Sequence, residues 1–318
     1  LAQKADVMLV APATANIIGK VANGIADDML STTIMATKAK VIFAPAMNTG
    51  MYENPIVQAN IKKLKELGYE FIEPDSGRLA CGDIGKGKFP KPEVIFEHVL
   101  TELYPVKNLK GKKVLVTAGP TKANIDPVRF LTNNSTGKMG YAIAEEARDR
   151  GAEVVLVTGA KNIKKPHGME VIEVDTNSEM REAVLNHYDS SDIVIKSAAV
   201  ADYKPKEYSN EKIKKGDGNL NIEFTRDNDI LMELGEKKKN QVLVGFAAES
   251  NNLIENAKGK LKKKNLDYIV ANDITSKETG FGSDKNKVFV ISKDNSIDEF
   301  DVMSKREVAS NLFDIFEG

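Results

Sequence analysis

The sequence contains very little cysteine, no tryptophan and few aromatic residues. Cys81 is the single cysteine among 318 residues, so an intramolecular disulfide and an all-cysteine metal site are both excluded. Such a chain suits a reducing compartment, and we expect it to be cytoplasmic. The three histidines, His98, His167 and His187, have no partners at metal-binding or catalytic spacing, and we interpret them as structural or surface residues.

Long apolar runs are also missing. No stretch approaches the roughly 18–20 apolar residues that a membrane span needs, and no signal peptide opens the sequence. Lys and Arg number 45 against 46 Asp and Glu, which gives a formal net charge of −1. This balance argues against nucleic acid or a membrane surface as a partner. With 42% apolar and 29% charged residues, the composition is that of a globular protein.

The length and the pattern of apolar segments predict two α/β domains. A chain of 318 residues exceeds what one hydrophobic core usually serves. We predict a first domain over residues 1–105, a linker over 106–110 and a second domain over 111–318. The first is too short for a complete doubly wound sheet, and Leu1 lies almost directly before a strand. We therefore expect it to be the C-terminal part of a domain.

The second domain shows a repeated strand–helix pattern, which predicts a parallel sheet. Thr176 and Glu179 form a capping box at the start of one of its helices. In such sheets ligands bind beyond the carboxyl ends of the strands. The buried strands are predicted at 114–117, 154–158, 193–197, 242–246 and 268–271.

A glycine-rich segment follows the first of these strands, over residues 133–140. A Walker loop would need glycine at position 132 and Ser or Thr at 139, where the chain has Thr132 and Met139. The segment still predicts a polar loop that reaches Gly140 and opens a helix, where backbone N–H groups favour an anion. The alternative is a purely structural turn. No GxGxxG follows the strand, so the dinucleotide-binding fingerprint is missing.

Several charged or reactive side chains stand at predicted loops. Asp202 follows a buried strand and can accept a hydrogen bond from a base or ribose, or hold a metal; it can equally be a satisfied loop aspartate. The lysines of 212–215 and 258–264 suit either solvent or phosphate. Cys81 lies in a segment over 73–92 that we predict to be a long mobile loop. There its thiol could exchange a proton, although most cysteines are buried structural residues.

Taken together, the motifs resemble one family closely: the bifunctional phosphopantothenoylcysteine decarboxylase/phosphopantothenate–cysteine ligase of coenzyme A biosynthesis. The resemblance covers essentially the whole chain and implies an α/β architecture, with a partial flavodoxin-like domain followed by a Rossmann-like parallel-sheet ligase domain. The motifs that carry it are Ala11-Pro-Ala-Thr-Ala-Asn16, Pro45-Ala-Met-Asn48, Leu79-Ala-Cys-Gly82, Gly119-Pro-Thr121, Asp126-Pro-Val-Arg129, Ser135-Thr-Gly-Lys-Met-Gly140, Ala198-Ala-Val-Ala-Asp-Tyr203, Lys212-Ile-Lys-Lys215 and Gly245-Phe-Ala-Ala-Glu249.

For the first domain the resemblance implies an FMN-dependent decarboxylase. Ala13, Thr14 and Asn16 would lie along the flavin, Asn48 would bind the substrate, and Cys81 would protonate the enethiolate. The family's basic histidine and flavin-phosphate loop belong to a part of the domain that this sequence does not contain. We therefore expect that the chain as given does not retain FMN and does not decarboxylate 4′-phosphopantothenoylcysteine.

For the second domain the resemblance implies a complete ligase. The carboxylate of 4′-phosphopantothenate would attack the α-phosphate of CTP, and the amine of cysteine would then displace CMP from the acyl-cytidylate. Mg²⁺ is expected as cofactor without assigned ligands, and homo-oligomers are expected. Lys212 and Asn133 would be catalytic and Arg129 would bind the substrate. The nucleotide contacts would be Lys212 itself, Ala198, Asp202, Asp229, Ile230, Phe246, Lys260 and Lys264.

One stretch departs from the family pattern, and two other classes of protein stay open. Residues 227–230 read Asp-Asn-Asp-Ile where the family has Asn-Pro-Asp-Ile, which puts the nucleotide contact of this stretch in doubt. One alternative is a nicotinamide-dependent oxidoreductase, which the missing GxGxxG disfavours. The other is a non-catalytic regulatory binding protein, which the intact Asn133, Asp202 and Lys212 disfavour.

Overall fold

The chain folds as two units, Leu1–Pro105 and Val106–Gly318. The computed structural model describes residues 2–78, 84–215, 219–249, 252–273 and 282–317. Among these residues no helix is long and apolar enough to cross a membrane.

The first unit is built on a small parallel sheet with strand order β1–β2–β3. Ile18, Phe43 and Leu64 are fully buried in its core. Its elements are β1 (Val7–Ala13), α1 (Ala15–Ala22), α2 (Met29–Ala36), β2 (Lys40–Pro45), α3 (Thr49–Tyr52), α4 (Pro55–Glu66), β3 (Glu70–Phe71), β4 (Asp75–Arg78), β5 (Ile84–Lys88) and α5 (Pro92–Leu103).

Part of the long loop predicted over 73–92 is instead an antiparallel strand pair. β4 pairs with β5, with Arg78 opposite Ile84 and Gly77 opposite Gly85. Glycine and lysine are poor strand formers, so this pairing could not be predicted from local sequence. Cys81 lies outside the described residues.

The second unit contains a sheet of eight strands in the order β10–β9–β6–β11–β14–β15–β16–β17. The strands from β10 to β15 are parallel, and the last two pairs are antiparallel. The elements are β6 (Lys113–Ala118), β7 (Lys122–Asn124), β8 (Phe130–Thr132), α6 (Lys138–Asp149), β9 (Glu153–Thr158), β10 (Glu170–Glu173), α7 (Asn177–Tyr188), β11 (Ile193–Lys196), β12 (Tyr203–Pro205), β13 (Phe224–Arg226), α8 (Ile230–Lys237), β14 (Val242–Glu249), α9 (Leu253–Lys263), β15 (Tyr268–Asp273), β16 (Lys285–Ser292), β17 (Ile297–Ser304) and α10 (Lys305–Glu317).

Helices cover both faces of this sheet, which confirms the predicted α/β class. Helices α6 and α10 pack on one face, and α7, α8 and α9 pack on the other. From β6 the chain proceeds to β9 and β10 on one side and then returns to β11 on the other. The strand order therefore reverses between β6 and β11. In open α/β sheets the crevice beyond such a reversal point is the usual ligand site.

The glycine-rich segment enters its helix earlier than predicted. α6 begins at Lys138, so Gly140 lies inside the helix rather than at the end of a polar loop. Gly137, with φ of 85°, is the N-cap, and this left-handed conformation suits glycine. At Gly140 the helix lies so close to β6 that an added Cβ would stand 2.5 Å from Ala118 Cβ.

We expect Gly140→Ala to destabilise the second unit. The new methyl group would overlap Ala118 and the carbonyl oxygen of Thr117, which lies 2.9 Å from its position, and overpacking of this kind costs about 1–3 kcal/mol. Gly259→Ala is the matched control, because an added Cβ in α9 would meet no atom within 4 Å. That variant should gain up to about 1 kcal/mol through helix propensity. Chemical denaturation measures the free energy of unfolding of both variants. Equal changes in the two variants would contradict this packing of α6 against β6.

Candidate functional site

A cavity of about 390 Å³ opens beyond the carboxyl ends of the strands on both sides of the reversal point. The start of α6 and the segment after β11 form one part of its wall, and α8, β14 and α9 contribute another. Most of the predicted ligase residues line this cavity. They are Asn133, Ala198, Asp202, Asp229, Ile230, Phe246, Lys260 and Lys264.

Hydrogen bonds tie the segment after β6 to the segment after β11. The side-chain amide of Asn133 donates to the carbonyl oxygens of Ala199 and Val200, both at 3.0 Å. The backbone N–H of Ala199 donates to Gly119 O at 3.0 Å. Asn133 therefore holds the two loops of the reversal point together at the mouth of the cavity.

An aspartate–lysine pair forms another part of the wall. Asp229 is the N-cap of α8 and accepts a hydrogen bond from Met232 N at 3.0 Å. Lys264, at the end of α9, lies 2.8 Å from the same carboxylate. Burial raises the pKa of Asp229, but the hydrogen bonds from Lys264 and Met232 outweigh burial and hold the pKa below its usual value. The carboxylate is therefore charged at neutral pH.

Two predicted residues, Arg129 and Lys212, do not line the cavity. A hydrogen bond joins Arg129 to the residue that follows Lys212. Arg129 Nη2 donates to Ile213 O at 2.9 Å. The buried carboxylate of Asp126 accepts from Ile213 N at 3.2 Å and from the backbone N–H groups of Val128 and Arg129. Burial raises the pKa of Asp126, and these three hydrogen bonds lower it further than burial raises it. Asp126 and Arg129 thus hold the backbone next to Lys212, whose own side chain is exposed.

Other polar residues of the cavity were not predicted from the sequence. Lys196, Asn272 and Lys305 line it together with the predicted set. Asn272 Oδ1 is buried without a hydrogen-bond partner among the described residues. Burial, and secondly Lys138, lower the pKa of Lys305. The sequence does hold one indication of Lys196, because a charged residue follows the apolar run Ile193-Val-Ile directly.

The predicted FMN residues of the first unit lie at one edge of its sheet. Ala13 ends β1 and pairs with Pro45 at the end of β2. Thr14 caps α1 by accepting a hydrogen bond from Ile17 N, and Asn48 caps α3 by accepting one from Gly50 N at 2.8 Å. Asn16 is exposed in the first turn of α1. Exposed polar groups at the carboxyl ends of parallel strands fit a ligand such as a flavin.

Within the described residues, no group of three or more His, Cys, Asp or Glu side chains could hold a metal ion. Mg²⁺ commonly keeps several waters and is bound through one or two carboxylates together with substrate phosphates. Such a mode of binding needs no cluster of protein ligands.

Comparisons with known proteins agree with this division into two units. The Flavoprotein family matches residues 1–103, and the family described as "DNA/pantothenate metabolism flavoprotein C-terminal domain" matches residues 109–317. Residues 1–103 are therefore flavoprotein sequence, and the expectation that the domain is incomplete stays a prediction.

Individual relatives cover nearly all of the chain. The coenzyme A biosynthesis bifunctional protein CoaBC of Bacillus subtilis (strain 168) is 53% identical over 313 residues, which span 97% of this chain and 77% of that protein. A cysteine/cysteine sulfinic acid decarboxylase of an unknown prokaryotic organism is 45% identical over 313 residues, spanning 96% of this chain and 87% of that protein. The crystal structure of the C-terminal domain of a CoaBC protein is 44% identical with a TM-score of 0.57, and the match covers 66% of this chain and 96% of that domain. The chain belongs to the family of bifunctional coenzyme A biosynthesis proteins CoaBC.

Proposed function

We propose that the second unit is a CTP-dependent phosphopantothenate–cysteine ligase. The observation that carries the proposal is the convergence of eight predicted ligase residues on one cavity at the reversal point of the sheet. In the first step, the carboxylate of 4′-phosphopantothenate attacks the α-phosphorus of CTP, and pyrophosphate leaves. In the second, the amine of cysteine attacks the acyl carbon of the cytidylate, and CMP leaves.

The charges of the site suit the first step. Negative charge grows on the oxygens of the α-phosphoryl group as it is transferred, and positioned cations stabilise that charge. Lys260 and Lys264 line the cavity. Lys212 precedes Ile213 in the sequence, and the backbone of Ile213 is hydrogen-bonded to Asp126 and Arg129. We propose that Lys212 approaches the transferring phosphoryl group, with Mg²⁺ carried on the nucleotide phosphates.

The loops of the reversal point suit the second step. Asn133 presents an amide at the cavity while it bonds to the carbonyls of Ala199 and Val200. A neutral donor at this position can face the mixed anhydride without repelling its phosphate charge. We therefore assign Asn133 to the binding and use of the acyl-cytidylate, and Arg129 to the acyl group.

We infer that the first unit contributes to an FMN-dependent decarboxylase. Its support is the edge formed by Thr14, Asn16 and Asn48 together with the Flavoprotein match. When bound, FMN would accept two electrons as the substrate thiol is oxidised, which permits loss of the carboxylate, and would return them as a hydride when the product is reduced to the thiol. Thr14 and Asn16 would lie beside the flavin, and Asn48 would orient the substrate. Cys81 would return a proton to the enethiolate product.

Pyrophosphate–CTP isotope exchange tests the ligase proposal at its first step. We expect exchange that requires 4′-phosphopantothenate and does not require cysteine, because acyl-cytidylate formation precedes attack by the amine. A parallel thermal-shift comparison of CTP, ATP, NAD and FMN tests the alternatives. Exchange supported by ATP but not by CTP would contradict the nucleotide assignment, and stabilisation by NAD alone would favour an oxidoreductase.

A further inference from the structure

A buried lysine without a counter-ion stands at the end of the central strand β11. Lys196 is the last residue of that strand, only 5% of its surface is exposed, and it lines the cavity. In the part of the chain that the structure describes, its ammonium group makes no hydrogen bond and no ion pair. Lysine is almost never buried unless it is paired, because an unpaired charge is costly to remove from water. Lys196 therefore pairs with no described residue, and the cavity that it lines is where a partner could reach it.

The charged groups around Lys196 do not supply that partner. Asp229 at the start of α8 is already bound to Lys264 at 2.8 Å. Asp202, in the segment after β11, influences the lysine only at longer range. Lys260 and Lys264 of α9 add further positive charge to the same wall. Lys138 and Lys305 line the cavity as well, so five lysines face two aspartates, and the local field favours an anionic ligand.

We propose that Lys196 is a phosphate-binding residue of the nucleotide site, and that its ammonium group pairs with the phosphate chain of the bound nucleoside triphosphate. The proposal rests on the proposed function in one respect, that the cavity takes a nucleotide. Lys196 would be a further cation beside the nucleotide contacts predicted from the sequence, and it belongs to a strand of the sheet. Because Lys196 extends from a central strand, it needs no loop movement to reach the ligand.

The groups around Lys196 also shift its pKa, so binding of a nucleotide should depend on pH. Burial, and secondly repulsion from Lys264, lower the pKa of Lys196 to about 8, although Asp229 and Asp202 act in the opposite direction. A phosphate beside the ammonium would favour the charged form. The affinity of the wild-type protein for CTP should therefore fall as the pH rises through about 8, where the free site loses its proton.

The test compares Lys196→Met with Lys262→Met, which removes an exposed lysine of α9 that does not line the cavity. Binding of CTP and of inorganic tripolyphosphate is measured by titration calorimetry. We expect Lys196→Met to weaken both by about 10- to 100-fold, the range of one hydrogen bond to a charged group. Lys262→Met should change neither by more than about twofold. The pH dependence of CTP binding near 8 should disappear in Lys196→Met only.

The melting temperatures of the ligand-free proteins provide an independent test, because the two interpretations predict changes in opposite directions. Lys196→Met removes an unpaired buried charge and should raise the melting temperature, whereas loss of a structural contact would lower it. If Lys196→Met does not fold, Lys196→Gln provides the binding comparison.

Each outcome decides the proposal. Unchanged binding of tripolyphosphate, with or without weaker binding of CTP, would overturn it, because the lysine would then not contact phosphate. Turnover of the wild-type protein with ATP instead of CTP would contradict the proposed nucleotide and leave this test intact. A wild-type protein that binds neither CTP nor tripolyphosphate would overturn the phosphate site itself.

Discussion

Lys212→Gln should lower pyrophosphate–CTP exchange by about 10²–10³-fold, the effect of removing one preorganised contact to a developing charge. The side chain of Lys212 is exposed and makes no ion pair with the described residues. Its removal should therefore leave the free energy of unfolding almost unchanged. The expected loss is in the rate of acyl-cytidylate formation, which the exchange reaction measures directly.

Lys214→Gln is the matched control, because Lys214 is also exposed and stands two positions away in the same segment. It should retain exchange within about threefold of the wild-type rate, as surface charges contribute little. Normal exchange in Lys212→Gln would contradict the role of Lys212. Equal losses in both variants would show that the charge of the whole segment matters rather than one lysine.

Asn133→Asp should lower the rate of amide formation by about 10²-fold or more, with a smaller effect on pyrophosphate–CTP exchange. The carboxylate cannot donate the two hydrogen bonds that Asn133 gives to Ala199 O and Val200 O at 3.0 Å. It would also repel the phosphate of the acyl-cytidylate. Single-turnover quench experiments, which separate formation of the intermediate from its reaction with cysteine, measure both effects.

Asn134→Asp serves as the control for the added charge, because Asn134 is exposed and does not line the cavity. We expect its kinetics to match those of the wild-type protein within about threefold. If Asn133→Asp slowed the first step as much as the second, Asn133 would be needed for nucleotide binding rather than for use of the intermediate.

Features that depend on neighbouring residues in the chain could be predicted from the sequence. Asn54 caps α4 by accepting a hydrogen bond from Ile56 N, and Pro55 occupies the first helical position, which proline favours. Thr176 and Glu179 form the predicted capping box of α7. These signals need only a few consecutive residues, because the groups that satisfy the end of a helix lie within its first turn.

Features that depend on distant partners could not be predicted. The strand pair β7–β8 lies just before the glycine-rich segment, where no strand was predicted, and β12–β13 pairs residues about 20 positions apart. Such short strands carry no periodic apolar pattern, and their partners are set by the fold. Lys196 lies in the buried strand predicted over 193–197, but its place in the cavity was missed, since that depends on the strands and helices around it.

Product formation by the purified chain tests the central claim most directly. The protein is incubated with Mg²⁺, 4′-phosphopantothenate, cysteine and either CTP or ATP, and the products are identified by mass spectrometry. The account predicts 4′-phosphopantothenoylcysteine, with CMP and pyrophosphate released in equal amounts, only when CTP and both other substrates are present. Amide formation that proceeds with ATP and not with CTP, or no amide with either nucleotide, would contradict it.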